Sequence, residues 1–249
     1  MISVELIQAV FAALYGIAAV VFLAATTRVP SRLQTYAGVF IVVVVAAALD
    51  LVAQLLGVGS VPVGSGSFGV STLLSQTIEY VVLYGAVVRL GGGSRRLTAT
   101  MIVVALLPVF VTEIGALIAS GGALLLLITV GFLLPFPLLL YFFFGRLERL
   151  SASLPPSRRL LYWKARNLLL FVYAMVLVYV GLLLSGVLTE QVLSQLLLQY
   201  VGYIFSAGLP AFFIYKFTGF DDESVQLLFE AEYDGSQSAG RETTGSSAD

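Results

Sequence analysis

Cysteine and histidine are absent from the 249 residues, lysine occurs twice, and charged side chains make up 11% of the chain. Ordinary soluble domains are roughly a quarter charged. The absence of cysteine excludes a disulfide framework and a thiol nucleophile, and the absence of histidine excludes imidazole metal sites and histidine-dependent triads. No metal site and no enzyme is expected. Apolar residues make up 59% of the sequence, with a mean hydropathy of +1.00. A soluble globule is therefore excluded, and a multi-pass protein of the cell membrane is expected, with the lipid bilayer as its first partner.

Long apolar runs bounded by charge, glycine or proline predict seven membrane helices near 5–27, 36–57, 71–90, 97–119, 122–145, 165–188 and 191–217. The connections at 28–35, 91–96 and 146–164 carry Arg28, Arg32, Arg95, Arg96, Arg146, Arg149, Arg158, Arg159 and Lys164. Those at 58–70, 119–121 and 188–191 hold no Lys or Arg. Positive residues mark the cytoplasmic side, which places the N-terminus outside and the C-terminus in the cytoplasm. The expected fold class is all-α, an integral membrane seven-transmembrane-helix bundle over residues 1–220. Met1 to Glu5 has no basic stretch, so the first apolar run is expected to stay as a span.

Residues 221–249 form an acidic, largely disordered cytoplasmic tail by composition. From 217 onward there are eight acidic residues and only Arg241 as a base, whereas 1–216 hold twelve basic and six acidic residues. Val225, Leu227, Leu228 and Phe229 suit a short amphipathic helix started by Asp221 or Asp222. A solubilising tail and a docking segment both fit. Nucleic acid is not implied.

Ionisable side chains at bilayer depth mark cavities or partners. Asp50, Glu79 and Glu113 all fall in the outer half and are expected to cluster. Gln54 lies four residues from Asp50 and Gln76 three from Glu79, each pair sharing a helical face. In the seventh helix Gln195, Gln199, Gly202, Ser206 and Pro210 recur at intervals of four, three, four and four, a small and polar stripe facing the bundle. Polar glue between helices and a wetted half-channel or ligand pocket both fit this cluster. Pro108, Pro135, Pro137 and Pro210 fall inside helices, and Pro210 frees the carbonyl of Ser206, predicting a kink or bulge on the stripe.

Leu55-Leu56-Gly57, Val61-Pro62 with Gly64, Tyr141 to Gly145 (YFFFG) and above all Lys164-Ala165-Arg166-Asn167 resemble the microbial (type 1) rhodopsins, the retinal-binding family that includes bacteriorhodopsin, over about residues 5–220. The resemblance implies a retinal pocket, and the residues at its positions depart from the family pattern. Where the family has Arg, an acidic counterion three residues on and then Trp, this sequence has Gln76, Glu79 and Tyr80. The two retinal-sandwiching Trp positions fall at Tyr173 and Val180. The acid and the Schiff-base Lys of the seventh helix fall at Gly202 and Ser206. Lys216 and Lys164 both lie at the cytoplasmic interface.

A divergent, lysine-less member of that family is therefore expected, with no covalent cofactor. It would act by contact with a membrane protein or a second copy of itself, as a regulator or signalling component, for example of carotenoid and retinal metabolism. Non-covalent retinal or carotenoid binding, with Tyr80, Tyr84, Tyr173, Tyr200 and Tyr203 as walls, is one alternative, and a proton or cation pathway through the outer carboxylates is another. Trp163 reads as an interface anchor.

Overall fold

A computed structural model describes residues 3–63, 66–118, 121–186, 191–221, 223 and 225. Among the described residues, seven helices are long and apolar enough to cross a bilayer. They are α1 (Val4–Thr26), α2 (Ser31–Leu55), α3 (Val70–Leu90), α4 (Arg95–Ile118), α5 (starting with Gly121–Leu133), α6 (Pro156–Leu184) and α7 (starting with Gln191–Tyr203). The fifth span continues through Pro135–Leu140, a π turn at Tyr141–Arg146 and Leu147–Ser151, and the seventh through a π turn at Ile204–Gly208 and Leu209–Thr218. Backbone groups must find partners inside the segment at bilayer depth, and helices meet that condition.

Successive helices pack as neighbours, and α7 returns against α1 and α2 to close a ring. Tyr84, Phe143, Tyr162 and Phe213 are fully buried inside it, whereas Ile17, Val20 and Leu23 of α1 point outward and are 61–69% exposed. That inside-out pattern of apolar residues suits a lipid solvent. Gly131 lets α5 approach α4, since a Cβ there would stand 2.8 Å from Val111 Cγ1.

The helix ends correct the sequence reading at several places. The connection expected over 146–164 is mostly helix, because Pro155 caps α6 and Pro156 occupies its first turn, where proline's missing N–H costs nothing. Arg158 to Lys164, read from their charge as loop, line the first turns of that helix. Likewise α2 starts at Ser31 rather than 36, directly after Pro30. The outer connection expected at 58–70 folds as an antiparallel hairpin, β1 (Ser60–Val63) with β2 (Gly66–Gly69), pairing Val61 with Phe68. The other outer connections, expected at 119–121 and 188–191, fall almost wholly outside the described residues.

Pro108 sits within α4, whose helical assignment runs on without a π turn. At Pro210 the ladder slips instead. Proline has no N–H to give to the carbonyl of Ser206, and the backbone passes through the π turn Ile204–Gly208 just before it. Of the tail expected over 221–249, only Asp221, Glu223 and Val225 are described. The Val225 N–H donates to the Asp221 carbonyl, and its side chain is fully buried.

Candidate functional site: a polar outer cleft

A cleft of about 370 Å³ opens between α1, α2, α3 and α7 in the half of the bundle near the hairpin. Asp50, five residues before the end of α2, organises one wall. Its Oδ1 accepts from Ser71 Oγ at 2.6 Å and from Thr72 Oγ1 at 3.1 Å, and its Oδ2 accepts from Gln54 Nε2 at 3.0 Å. Gln54 turns its carbonyl to Gln8 Nε2 at 3.0 Å, carrying the chain across to α1. The two carboxylate oxygens thus tie α2 to α3, and Gln54 extends this part-buried network to α1.

Glu79 lies nine residues into α3, about 14 Å from its outer end at 1.5 Å per residue, and is buried. Ser75, one turn earlier, donates to Glu79 Oε1 at 3.2 Å. From α7, the buried hydroxyl of Ser206 faces the Glu79 carboxyl and the Tyr15 hydroxyl. Ser206 stands on the π turn, so the backbone irregularity and the deepest acid of the cleft share one level. Gly202, one turn outward, faces Tyr15, whose oxygen would be at an ordinary contact distance of 3.8 Å from an added Cβ.

Of the residues singled out in the sequence, Asp50, Gln54, Gln76, Glu79, Gln195, Gln199, Gly202 and Ser206 all line this cleft. Glu113 does not join them. Its Oε2 accepts from the Gly69 N–H at 3.1 Å, so it pins the hairpin to α4 instead. Of the three acids, Asp50 and Glu79 line the cleft, while Glu113 stands beside it at the hairpin, near enough to Asp50 to interact with it electrostatically. The sequence reading missed Gln8, Tyr15, Ser71, Thr72 and Ser75. A lone amide in the apolar run of α1, and hydroxyls one and two turns before Glu79, were the available cues.

Below the cleft the bundle centre is filled with rings. Tyr80 stacks on Tyr84 with centroids 5.5 Å apart and meets Phe205 at 5.1 Å, and Tyr84 reaches Phe143 at 6.3 Å. Tyr173 stacks on Phe136 at 5.4 Å and donates to the Phe132 carbonyl at 2.7 Å. Tyr80 and Tyr173 therefore belong to this packed centre and not to the cleft wall. Tyr203 packs on Tyr15 at 4.9 Å. Tyr200, expected as a pocket wall, is 52% exposed on the outside of α7 and is removed from that role. Val180 is buried in α6.

Lys216 occupies the last turn of α7, with its Nζ 5.3 Å from the ring of Tyr215, and Lys164 is exposed on α6. Both lie at the basic end, opposite the cleft. There Glu148 of the fifth span binds Arg166, accepts from Trp163 Nε1 at 3.0 Å and approaches Arg159 at 3.8 Å. Arg158 donates to the carbonyls of Leu90 and Arg89 at 3.1 and 2.8 Å, fastening α6 to the end of α3.

No family model and no curated protein matches the sequence. Solved structures do match the fold. A cyanorhodopsin from the cyanobacterium Calothrix sp. NIES-2098 superposes with a TM-score of 0.72 at 13% identity, over 90% of this chain and 97% of that one. Halorhodopsin, a light-driven chloride pump, gives 0.72 at 11% identity over 90% and 98%. The thermophilic rhodopsin of Rubrobacter xylanophilus gives 0.71 at 15% identity over 91% and 97%. Such identities establish fold and leave activity open. The chain is a multi-pass membrane protein with the seven-helix fold of the microbial rhodopsins.

Proposed function

We propose that this chain is an opsin-like membrane protein that holds no covalent retinal and acts through contacts with another membrane protein, as a regulator or signalling component. The observation that carries the reading is the position of its amines. A Schiff base to a retinal in the bundle needs a lysine near mid-bilayer, and the register that family resemblance gives for it is occupied by Ser206. Lys216 lies ten residues further along α7, about 15 Å toward the opposite end. The ring cluster of Tyr80, Tyr84, Phe143 and Phe205 places protein side chains in the centre. Control of the carotenoid and retinal supply is one role consistent with such a likeness. The acidic tail and basic end supply charge for recognising a partner.

Non-covalent binding of retinal or a carotenoid is the second reading, favoured by the cleft of about 370 Å³ that Tyr15, Gly202 and Ser206 line. A proton or cation pathway has less support, because the polar network ends at Glu79 and Ser206, and Leu83, Val87 and Phe213 beyond them are fully buried apolar side chains.

The test is the visible spectrum of protein purified after expression with all-trans retinal, beside the Ser206→Lys variant. The native chain is expected to be colourless and the variant to gain a band that hydroxylamine bleaches, with Glu79 poised to face the new imine. A native band that resists hydroxylamine would overturn the first reading in favour of the second.

A further inference from the structure

The outer cleft holds more polar groups than its own network uses. Asp50 and Gln54 are engaged with Ser71, Thr72 and Gln8, and Glu79 with Ser75 and Ser206. Among the described residues, nothing hydrogen-bonds to the side-chain amides of Gln76, Gln195 and Gln199, which also line the cleft. All three residues are half-buried. Counted along their helices, Gln195, Gln76 and Gln199 stand about 6, 9 and 12 Å in from the outer ends of α7, α3 and α7. Two walls of one cleft thus carry free amides at successive depths. Ala47, Leu51 and Leu198 add apolar surface between the polar groups.

This lining selects a class of molecule. No Lys or Arg belongs to it and two of its side chains are carboxylates, so an anion is repelled. The carboxylate oxygens are already met by hydroxyl and amide donors, and no group of three acids stands together among the described residues, which leaves a metal ion without a ligand set. An ammonium carries donors only and would leave the amide N–H groups unmet, and a polyene would leave whole amides unmet. A hydroxyl both gives and accepts, so two neighbouring hydroxyls can span the oxygen and nitrogen of one amide. We infer that the cleft binds a small uncharged polyhydroxylated molecule, a sugar or cyclitol, through Gln76, Gln195 and Gln199, with the C–H face of its ring on the apolar surface. The volume of about 370 Å³ is within the roughly 300–1,000 Å³ of small-molecule sites. This assignment rests on the reading that no retinal fills the bundle.

The experiment is saturation-transfer NMR on the full chain in lauryldimethylamine oxide, a detergent without sugar groups, titrated with D-glucose, myo-inositol, choline or glucose 6-phosphate. A visible spectrum is taken of the same sample. Saturable binding of glucose or myo-inositol is expected, with glucose 6-phosphate at least about tenfold weaker because its phosphate meets the carboxylates. Gln76→Leu and Gln199→Leu remove amides that no protein group uses, so each should weaken polyol binding about fivefold to tenfold and leave the unfolding temperature near that of the native chain. Should a leucine variant not fold, Gln199→Glu, which exchanges the amide donors for an acceptor, takes its place with the same expectation. A colourless native chain that binds neither polyol overturns the inference and leaves the pigment-free reading standing. A visible band in the native chain overturns that reading, and the inference with it. Choline bound more tightly than either polyol makes the cleft a cation site, and polyol binding untouched by the glutamine variants puts the molecule elsewhere; each result overturns the inference.

Discussion

Asp50 holds three hydrogen bonds from two helices, so its replacement leaves more behind than a missing charge. Asp50→Ala should cost about 1–3 kcal/mol, because Ser71, Thr72 and Gln54 lose their acceptor together. Asp50→Asn, which keeps one acceptor oxygen, should cost less, and the two are ranked by thermal unfolding in detergent. An equal loss for both would locate the cost in charge rather than in the acceptor set. Gly59→Ala should injure the same network from outside, since its Cβ would stand 2.4 Å from Ser71 Oγ. A stability loss for Gly59→Ala that persists undiminished in an Asp50→Ala background would show that the two act separately. The Asp50 and Gln54 pair was legible in the sequence, since spacing along one helix fixes it. Their partners on α1 and α3 were not, because they depend on how the helices are rotated against one another.

Among the elements, the junction of the fifth span and α6 rests on Glu148, which engages Arg166, Arg159 and Trp163 at once. Glu148 is partly exposed, so the stability effect of Glu148→Gln is expected to be modest, near the 1 kcal/mol scale of screened pairs. The sharper readout is fluorescence. Trp163 is the only tryptophan, and losing its carboxylate acceptor should change its emission, with high salt shifting the native spectrum the same way. An unchanged spectrum in Glu148→Gln would remove the latch. The irregularity before Pro210 was legible as a kink or bulge on the polar stripe, although proline chemistry alone does not decide it, since Pro108 leaves α4 continuous. The start of α6 was hidden by its own charge, since Arg158 to Lys164 read as loop although arginine and lysine are good helix formers at an interface. The hairpin was hidden by its shortness, with only four residues per strand.

On the scale of the whole molecule, spans and basic end were legible because hydropathy and charge are one-dimensional properties. The confinement of the acids to one half was legible for the same reason, whereas the ring closure of α7 onto α1 was not, being a property of packing. The orientation is tested on a chain with no native cysteine. Single cysteines at Ser60 and Ser153 should react with impermeant maleimides from the outside and the cytoplasm respectively, and the reverse result would invert the assignment. The polar cleft penetrates to Glu79, while the layer beyond it is packed with Tyr, Phe and Val. With the cleft wetted, a transmembrane voltage falls mainly across that dry inner layer instead of the full bilayer. Asp50 then sits nearly at the outer potential, and the field, worth about 2.3 kcal/mol per charge per 100 mV, is concentrated between Glu79 and the ring of arginines at the basic end.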